Sequence, residues 1–491
     1  MKLSRSAATA GLLLALGASA GHAEAPVTTE AATSQLSAVL SLLTAGALGT
    51  RDNPPQVTRD GDIFVVQVPL PALDGPAPRT LSARAQPLGG GVWEILSASI
   101  PPTGTFTLST PGAPLPNSQV TYSIGHQTIT GRIDPSLAQP SPFNIALKDV
   151  TITTHTNSDQ ATQTIGQQTL KGALTGEPDH RVTLRAQGTV TDWHVSSRDH
   201  AGGTSLTRIQ SAASSFELEG LDDTKAERLR AALRALAETA HADKGEAAKR
   251  KQWTDQQRSL LNAALDALQG MLNRVNIQQT AQGFHLQAAS GTVGDIGLVR
   301  FGLSGESRND RLGAEVDLAL HDLTLDSIPA DLAGYVPSLL KVRPVLAGVR
   351  TSALIRLLHH AIEGADPASM QDEALAILRE PGVQLGFEDV SIIAGPLHIQ
   401  GTGHMLPAPA ATPGLEAHLE AQGVDATLAH IQTNPDTRKA LPLILLAKGM
   451  ARTEGDRLVW DVRFENGTVT VNDVPFGPSG PRPPDAGKAP R

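Results

Sequence analysis

The stretch Leu458–Gly477, LVWDVRFENGTVTVNDVPFG, has the clearest two-residue period in the chain and indicates how the rest is built. Apolar side chains alternate along its first half at Leu458, Trp460, Val462 and Phe464. Successive side chains of a strand point to opposite faces, so these four share one face, opposite Asp461, Arg463 and Glu465. Asn466-Gly467 supplies the positive-φ residues of a tight turn, after which Val469 and Val471 resume the pattern. The stretch therefore predicts a hairpin with one apolar face.

The apolar face of this hairpin needs a cover. The Pro-rich residues that follow contain no large apolar side chain, so they cannot supply it. Two alternatives remain. Either the run ALPLILLAKGM (Ala440–Met450) packs across the face, or Leu458, Trp460, Val462 and Phe464 line a groove for an apolar ligand. The run directly precedes the hairpin and needs an apolar partner itself, which favours internal cover with the remaining sheet face free for a ligand.

Short strands separated by Pro, Gly and polar turns continue this pattern through most of residues 24–215. Examples are NIALKDVTITT from Asn144 and RVTLRAQGTVTDWHV from Arg181. Close turn signals favour antiparallel pairing, because parallel strands need long crossovers. A helix precedes the strands, with Leu36, Val39, Leu40 and Leu43 at helical spacing. We predict an α+β fold, an elongated, curved, mostly antiparallel sheet with helices packed on it.

Residues 216–276 have a different pattern and predict a central helical hairpin. Leucines recur at helical spacing in two stretches, at Leu229, Leu233 and Leu236 and at Leu261, Leu265, Leu268 and Leu272. Such leucines are typical of core contacts, so we expect Leu233 and Leu265 to be buried. Asp222 or Asp223 and Thr254 are the expected N-caps.

The β-rich region 277–477 contains an internal repeat. GAEVDLALHDLTLDSIPADL from Gly313 is similar to GLEAHLEAQGVDATLAHIQT from Gly414, and an apolar, helix-like run follows each, VPSLLKVRPVLAGV or ALPLILLAKGM. LKDVTI at Leu147 is likewise similar to FEDVSI at Phe387. Similarity at a spacing near a hundred residues predicts a duplicated strand-strand-helix unit. Residues 478–491 are Pro-rich and predict a disordered tail.

The first residues, MKLSRSAATAGLLLALGASAGHAEAP, combine the basic Lys2 and Arg5 with an apolar centre and small residues before Ala23. This pattern is typical of a secretory signal peptide over residues 1–23, cleaved after Ala23, and is too short for a spanning helix. We therefore expect a periplasmic protein. No later stretch has about 18 consecutive apolar residues, so we expect no transmembrane segment.

Composition narrows the possible chemistry and partners. The chain has no cysteine, which excludes disulfides, thiolate catalysis and a lipid-attachment cysteine. Its net charge of −9, with no basic footprint, argues against a nucleic-acid partner. Aromatic residues make up 3% of the chain, so the interior must be largely aliphatic. An apolar ligand or an envelope protein remains open as a partner.

Sequence motifs give catalysis little support. Ser338-Leu-Leu-Lys341 has the S-x-x-K spacing, but the S-D-N and K-T-G elements that accompany it in penicillin-recognising enzymes are missing. G-x-S-x-G, H-E-x-x-H, the P-loop and the EF-hand loop are absent, and QGTGHM lacks the third glycine of a dinucleotide fingerprint. Asp317, Asp322 and Asp389 are interpreted as turn-forming residues rather than a glycosidase pair. We expect no catalytic residue and no cofactor.

Histidines are the remaining candidates for a metal site. His359 and His360 are adjacent on a helical run, where side chains point about 100° apart, so one at most can face a given site. Four more occur in the C-terminal region: His398, His404, His418 and His430. None of them forms a pair at the strand or helix spacing of metal ligands, so we expect no metal site and interpret them as surface or edge residues.

Both ends of the chain resemble the domain of unknown function 2125 family of exported proteobacterial proteins. The resemblance rests on RDGDIFVVQVPL near the start and on GPLHIQGTGHML, GLEAHLEAQGVDATLAHI, LPLILLAKGMART and the closing hairpin near the end. The closing element is also similar, more distantly, to AsmA/YdgA-type envelope proteins, which are built from long curved sheets. The resemblance implies an envelope role, such as lipid handling, and brings no catalytic residues.

Three functions follow from these patterns. The first is a non-enzymatic envelope protein that binds a lipid, another apolar ligand or a partner protein on a sheet surface. The second is a structural periplasmic protein without a ligand. The third is a hydrolase with an unrecognised site. An uncovered apolar groove favours the first, a fully covered sheet the second, and a pocket joining Ser338, Lys341 and a carboxylate the third.

Overall fold

The computed structural model describes residues 27–43, 55–70, 80–108, 118–134, 140–156, 159–177, 181–199, 201–242, 253–291, 293–406, 414–433, 437–465 and 468–476. The predicted signal peptide, the Asn466-Gly467 turn and the predicted tail lie outside the described residues. Most of the described chain forms an open, curled, antiparallel sheet, and helices accompany it. The predicted α+β class is confirmed at this level.

The strands of the N-terminal part are β1 (Gln56–Asp60), β2 (Ile63–Pro69), β3 (Thr80–Gly89), β4 (Val92–Ser99), β5 (Thr103–Leu108), β6 (Ser118–Ile133), β7 (Ser141–His155), β8 (Gln160–Glu177), β9 (Arg181–Arg198) and β10 (Thr204–Asp222). Those of the C-terminal part are β11 (Arg274–Gln287), β12 (Val293–Arg308), β13 (Arg311–Leu325), β14 (Leu339–Arg350), β15 (Gln384–Ala394), β16 (Leu397–Leu406), β17 (Gly414–Gln422), β18 (Arg452–Glu454), β19 (Arg457–Glu465), β20 (Thr468–Val471) and β21 (Val474–Phe476).

The helices are α1 (Thr29–Leu43), α2 (Asp223–Ala242), α3 (Asp255–Leu268), α4 (Ala330–Ala333), α5 (Thr351–Glu363), α6 (Pro367–Leu378), α7 (Val424–Thr433) and α8 (Leu441–Met450). A short 3-10 helix, Arg438–Ala440, leads directly into α8. Thr254 caps α3 in a capping box with Gln257, as predicted. The Asp222 carboxylate accepts the backbone N–H of Lys225 at 3.0 Å in the first turn of α2.

The sheet is a meander in which neighbours in space are mostly neighbours in the chain. β1 to β4 pair in sequence, β4 pairs with β6, and each strand from β6 to β16 pairs with the next. β5 pairs with β6, and β17 pairs with β19, whose other edge carries β18 and β20. β21 then pairs with β20. No pairing in the described part joins β1 to β21, so this sheet has two free edges.

The two faces of the sheet differ in chemistry. Residues paired across strands share a face, so the register assigns each side chain. One side, which we call the apolar face, carries the aliphatic and aromatic residues of each strand. The other, the charged face, carries cross-strand ion pairs, including Arg185–Glu217, His285–Asp295, Lys341–Asp389, Arg343–Glu315 and His418–Asp461.

Eight strands, β6 to β13, share a distortion along one line across the sheet, which we call the crease. Its residues lie between matched pairs of the register and are Gly125, Asp149, Gly166, Asp192, Gln210, Gly283, Gly297 and Asp322. Every second strand has a left-handed residue there, with φ of 53° at Asp149, 53° at Asp192, 62° at Gly283 and 54° at Asp322. Aspartate tolerates this conformation better than most side chains.

Glycine faces the left-handed residue wherever the two strands approach closely. A Cβ added at Gly125 would lie 2.9 Å from the Cβ of Asp149, and one at Gly166 would lie 3.0 Å from the Cβ of Asp192. Real Cβ atoms essentially never lie closer than 3.0 Å to another heavy atom. The crease therefore needs a residue that adopts positive φ on every second strand. It has a glycine on one side of the close approaches, as at Gly125, Gly166 and Gly283, the last of which faces Gln210.

The crease shifts the alternation of the strands that it crosses. In β7, Leu147 and Val150 pack into one cluster on the apolar face, and in β9 Val190 and Trp193 join the same cluster. A regular strand would place residues three positions apart on opposite faces. The apolar pattern of each strand therefore changes phase at the crease, and rows on both sides of it contribute to one core.

Helices cover parts of the apolar face. α1 packs on β2 to β4, where Leu36 joins a cluster with Phe64 and Trp93. The first turn of α2 packs through Ala226 on β8 to β10. α5 and α6 pack on the C-terminal end of β14, and α7 and α8 pack on β16, β17 and β19.

The leucines expected to be buried in α2 and α3 are partly exposed. Leu233 is 50% exposed and Leu268 is 44% exposed, so the predicted burial of Leu233 is wrong, while Leu265 is half-buried. The buried positions of α2 and α3 include small residues, Ala226, Ala232, Ala264 and Ala267. Alanine lets a helix approach its neighbour closely, and the larger leucines then lie at the edge of the contact.

Two sequence interpretations placed helix where the structure has strand. VPSLLKVRPVLAGV forms the start and body of β14, because β-branched residues recur in it and pair on both sides with β13 and β15. Residues 216–222 and 274–276, predicted within the helical region, belong to β10 and β11. The two similar segments each form a strand followed by a helix, β13 with α4 or β17 with α7, and the chain then continues into β14 or α8.

Candidate apolar ligand site

Two unbroken rows of residues cross the apolar face between β12 and β19. The first row consists of Phe301, Leu318, Val342, Val390, Gly401, Leu419 and Trp460, each paired with the next. The second consists of Leu320, Leu340, Ile392, Ile399, Ala421 and Leu458. Neither row contains a charged or hydrogen-bonding side chain other than the indole N–H of Trp460.

Part of this face is left open to solvent. Leu318 is 41% exposed, Val342 36%, Leu385 40% and Leu415 41%. All four belong to β13, β14, β15 or β17, and Leu318 and Val342 are adjacent in the first row. Leu385 and Leu415 lie further along β15 and β17, beyond the row of Pro344, Phe387 and Gly403. We call this part of the face the open patch, because exposed large aliphatic side chains clustered on one face are a feature of interaction sites.

Glycines make room for larger side chains on this patch. Gly401 lacks a Cβ where the Leu419 side chain passes, since an added Cβ would lie 2.4 Å from Leu419 Cδ2. At Gly403 an added Cβ would lie 2.5 Å from Phe387 Cζ, so the ring occupies the space above the glycine. A depression of about 930 Å³ opens beside them, with Leu385 and Met405 in its lining. The glycines thus help to shape a shallow apolar depression.

The four candidate residues of the closing hairpin are divided by α8. Leu458 and Trp460 pack against Leu441 and Ile444 of α8, and the Trp460 indole N–H donates to the Ala447 carbonyl at 2.7 Å. Val462 and Phe464 lie further along β19, are half-buried, and pair with Ala417 and Leu415. The run Ala440–Met450 therefore covers the first half of the hairpin face, and the second half continues the open patch.

The S-x-x-K pair does not form a site. Residues three apart in an extended segment point to opposite sides. The Lys341 ammonium lies 2.5 Å from the Asp389 carboxylate on the charged face, and the Ser338 hydroxyl donates to the Ile393 carbonyl at 3.4 Å. No carboxylate or base within the described residues completes a nucleophile with Ser338.

The aspartates considered as an acid and base pair are also separated by the fold. Asp389 pairs with Lys341, Asp322 is the crease residue of β13, and Asp317 lies five residues before it on the same strand. The interpretation of Asp322 as a turn-forming residue is wrong, because Asp322 lies inside β13, where it has a left-handed backbone conformation. The Asp317 Oδ1 atom is buried without a hydrogen-bond partner.

The histidines have separate local partners. His359 contacts Asp266, His360 contacts Glu373 and His404 lies 3.7 Å from Glu416, while the His430 ring stacks on Tyr335 at 4.3 Å. Within the described residues, no group of three or more histidines, aspartates or glutamates is placed to hold a metal ion. The same part of the chain contains no helix with the length and apolarity needed to cross a bilayer.

His418 is the centre of the densest polar network on the charged face. Its Nδ1 lies 2.7 Å from Asp461 and its Nε2 lies 3.1 Å from Glu420. A hydrogen bond to Asp461 raises the pKa of His418 most, and a hydrogen bond to Glu420 raises it further. Hydrogen bonds from Gln400, His418 and Arg457 lower the pKa of Glu420 from its usual 4.5 to about 2. These groups are partly exposed on a flat strand surface, an arrangement that stabilises strand pairing but encloses no substrate.

No family model matches the chain, and no curated protein or solved structure matches it. Interpretation of the site therefore rests on its own geometry. Sequence reasoning missed Leu318, Val342, Leu385 and Leu415 as a group. The signal that could identify them is the alternation of β13, β14, β15 and β17, read together with the antiparallel register.

Proposed function

We propose that this protein is an exported, non-enzymatic envelope protein that binds the acyl chain of a lipid along the open part of its apolar face. The open patch between β13 and β17 carries the proposal, because its large aliphatic side chains are 36–41% exposed. The signal-like residues 1–23 and the resemblance to the domain of unknown function 2125 family support an envelope location. We also propose that the sheet is elongated and that α2 and α3 form a central helical hairpin. The contact between these two helices supports the hairpin.

The dimensions of the rows suit an extended hydrocarbon chain. Strands lie about 4.8 Å apart, so the four steps from β13 to β17, before the part that α8 covers, span roughly 19 Å. The hydrocarbon depth of one leaflet is about 15 Å, half of a ~30 Å bilayer core. An acyl chain can therefore lie along the first row from Leu318 to Leu419 over its whole length, contacting a leucine or valine at most strands.

The chemistry of the rows favours an alkyl chain over a peptide. An extended peptide brings backbone N–H and C=O groups that must be hydrogen-bonded when they are buried. The rows offer no free partner for such groups, since the Trp460 N–H is bonded to Ala447. A purely structural sheet without ligand is the competing function, and the experiment below separates the two.

Binding of cis-parinaric acid, a fluorescent fatty acid, tests the proposal. Leu318→Asp places a carboxylate in the first row and should weaken binding at least ~10-fold, because two or more buried methylenes contribute about 0.8 kcal/mol each. Leu358→Asp is the matched control, since Leu358 is 39% exposed on α5 rather than on the open patch. It should bind the probe as the wild type does.

Mass spectrometry of lipid extracted from protein purified from the periplasm provides a second readout. Wild-type protein should retain lipid, and the Leu318→Asp variant should lose it while keeping its circular dichroism spectrum. If the wild type neither retains lipid nor binds the probe, the structural function replaces the lipid-binding one.

A further inference from the structure

Helix α8 presents an apolar surface on the side that faces away from the sheet. Leu443 is 71% exposed, Leu445 47% and Leu446 48%, and Pro442 and Gly449 are also exposed. At 100° per residue, these five positions form the outward half of the helix. A helix this apolar on its exposed side differs from an ordinary surface helix, whose outward face is polar.

The opposite side of α8 is fixed to the protein. Leu441 and Ile444 pack on Leu458 and Trp460, and the Trp460 N–H holds the Ala447 carbonyl. The Lys448 ammonium forms an ion pair with Asp425 of α7. α8 is thus a rigid platform whose leucines are presented to the surroundings, and their exposure is not a consequence of a loosely attached helix.

Cations flank this platform at its N-terminal end. Arg438 and Lys439 form the exposed 3-10 turn that leads into α8. The Arg438 guanidinium donates to the Gln432 carbonyl at 3.0 Å, which positions the charge beside the start of α8. Apolar side chains beside basic residues are the pattern by which a helix lies in a membrane interface that contains anionic lipid.

We infer that α8 docks on the surface of a lipid bilayer, with Leu443, Leu445 and Leu446 inserted among the acyl chains and Arg438 and Lys439 at the headgroups. This inference goes beyond the proposed function and does not require it, because the inserted leucines face away from the apolar face of the sheet. Docking would bring the end of the sheet that carries Leu458 and Trp460 close to a source of lipid.

Other occupants of this surface fit less well. The 15 residues after Phe476 contain no large apolar side chain, so they offer nothing to bury three leucines. A second copy of this helix would bring leucines and further cations, but no countercharge for Arg438 and Lys439. An anionic membrane supplies the apolar interior and the countercharge together.

Vesicle flotation tests the inference directly. Full-length mature protein is mixed with vesicles of about three parts phosphatidylethanolamine to one part phosphatidylglycerol, and the bound fraction is measured across lipid concentration. The double variant Leu443→Gln/Leu446→Gln should reduce the partition coefficient at least ~10-fold, because two leucine side chains no longer enter the hydrocarbon. Arg438→Gln/Lys439→Gln should weaken binding several-fold on these vesicles and much less on pure phosphatidylcholine.

The matched control is Leu233→Gln, since Leu233 is a leucine of similar exposure, 50%, on α2. It should bind vesicles like the wild type. Equal losses in the control and the α8 variant, or a wild type that does not float, would overturn the inference. So would a change from dimer to monomer in the α8 variant by analytical ultracentrifugation, which would identify α8 as a self-association surface.

The same variants separate this inference from the lipid-binding function of the sheet. The α8 double variant should still bind cis-parinaric acid, and Leu318→Asp should still float with vesicles. If the wild type floats with vesicles but does not bind cis-parinaric acid, only the lipid-binding function of the sheet is refuted. If it binds the probe but does not float, only the membrane docking of α8 is refuted.

Discussion

The apolar face is closed over β6 to β10 and partly open over β13 to β17, although both halves are built from antiparallel strands with one apolar face. In the first half, Ile124, Val150 and Ile165 are each 6–7% exposed and share one cluster. In the second, Leu318 and Val342 are 41% and 36% exposed. Both sets are neighbours in the register, so pairing alone does not decide whether a row is buried.

The crease contributes to burial in the closed half. Along β6 to β10 the rows on its two sides join one core, in which Leu147 shares a cluster with Val150, and Val190 with Trp193. It continues to Asp322 on β13 and is not present in β14 to β17 as described. Alternation therefore selects which face is apolar, and a left-handed residue on every second strand of the closed half lets rows on both sides of the crease share one core.

Removing a side chain from the closed half should have the largest effect on stability. Ile165→Ala deletes buried methyl groups that Val150 and Ile124 surround, and the expected loss is about 2 to 5 kcal/mol in the free energy of unfolding. Leu318→Ala in the open half should cost about 1 kcal/mol or less, because much of that side chain is already in water. Urea denaturation of both variants measures the two losses. Equal losses would show that the open half is covered in solution.

The crease itself should be sensitive to the shape of its left-handed residues. Asp192→Val places a β-branched side chain at a φ of 53° and should destabilise the protein by about 1 to 2 kcal/mol. Asp192→Gly is the matched control, because glycine adopts this conformation without strain and removes the same carboxylate. If both variants lose the same stability, the carboxylate matters and the backbone angle does not. Thermal unfolding followed by circular dichroism gives the comparison.

Sequence reasoning predicts the antiparallel sheet, α1, the caps of α2 and α3 and the hairpin face at Leu458 and Trp460, because each depends on local alternation or spacing. It misses the crease, since an aspartate or glycine inside an apolar pattern is typical of a turn, as in the interpretation of Asp322. The signal is nevertheless visible as a recurring phase change, in LKDVTI, VTDWHV and ALHDLTL. The strand nature of β14 was missed because a short apolar run has no period that separates strand from helix.

The charged face supplies the open half with stabilisation that apolar burial does not, and pH should reveal it as the smallest of these effects. The pKa of Glu420 is lowered from 4.5 to about 2 by Gln400, His418 and Arg457, so its contribution is complete above pH 4.5 and is lost as pH falls toward 2. The pKa of His418 is raised above its usual 6.5 by Asp461 and Glu420, so its contribution is present below pH 6.5 and is lost as pH rises past the raised value.

Protection of β17 and β19 amides from hydrogen exchange, corrected for the intrinsic effect of pH, should therefore be greatest between about pH 4.5 and 6.5. Protection in β7 and β8 should change little across this range, because their core consists of Val150, Ile165 and other apolar residues. Glu420→Gln should remove most of the loss on the acidic side and leave the closed half unchanged. A uniform pH response of both halves would mean that the sheet unfolds as one unit. The closed and open halves would then not differ in local stability.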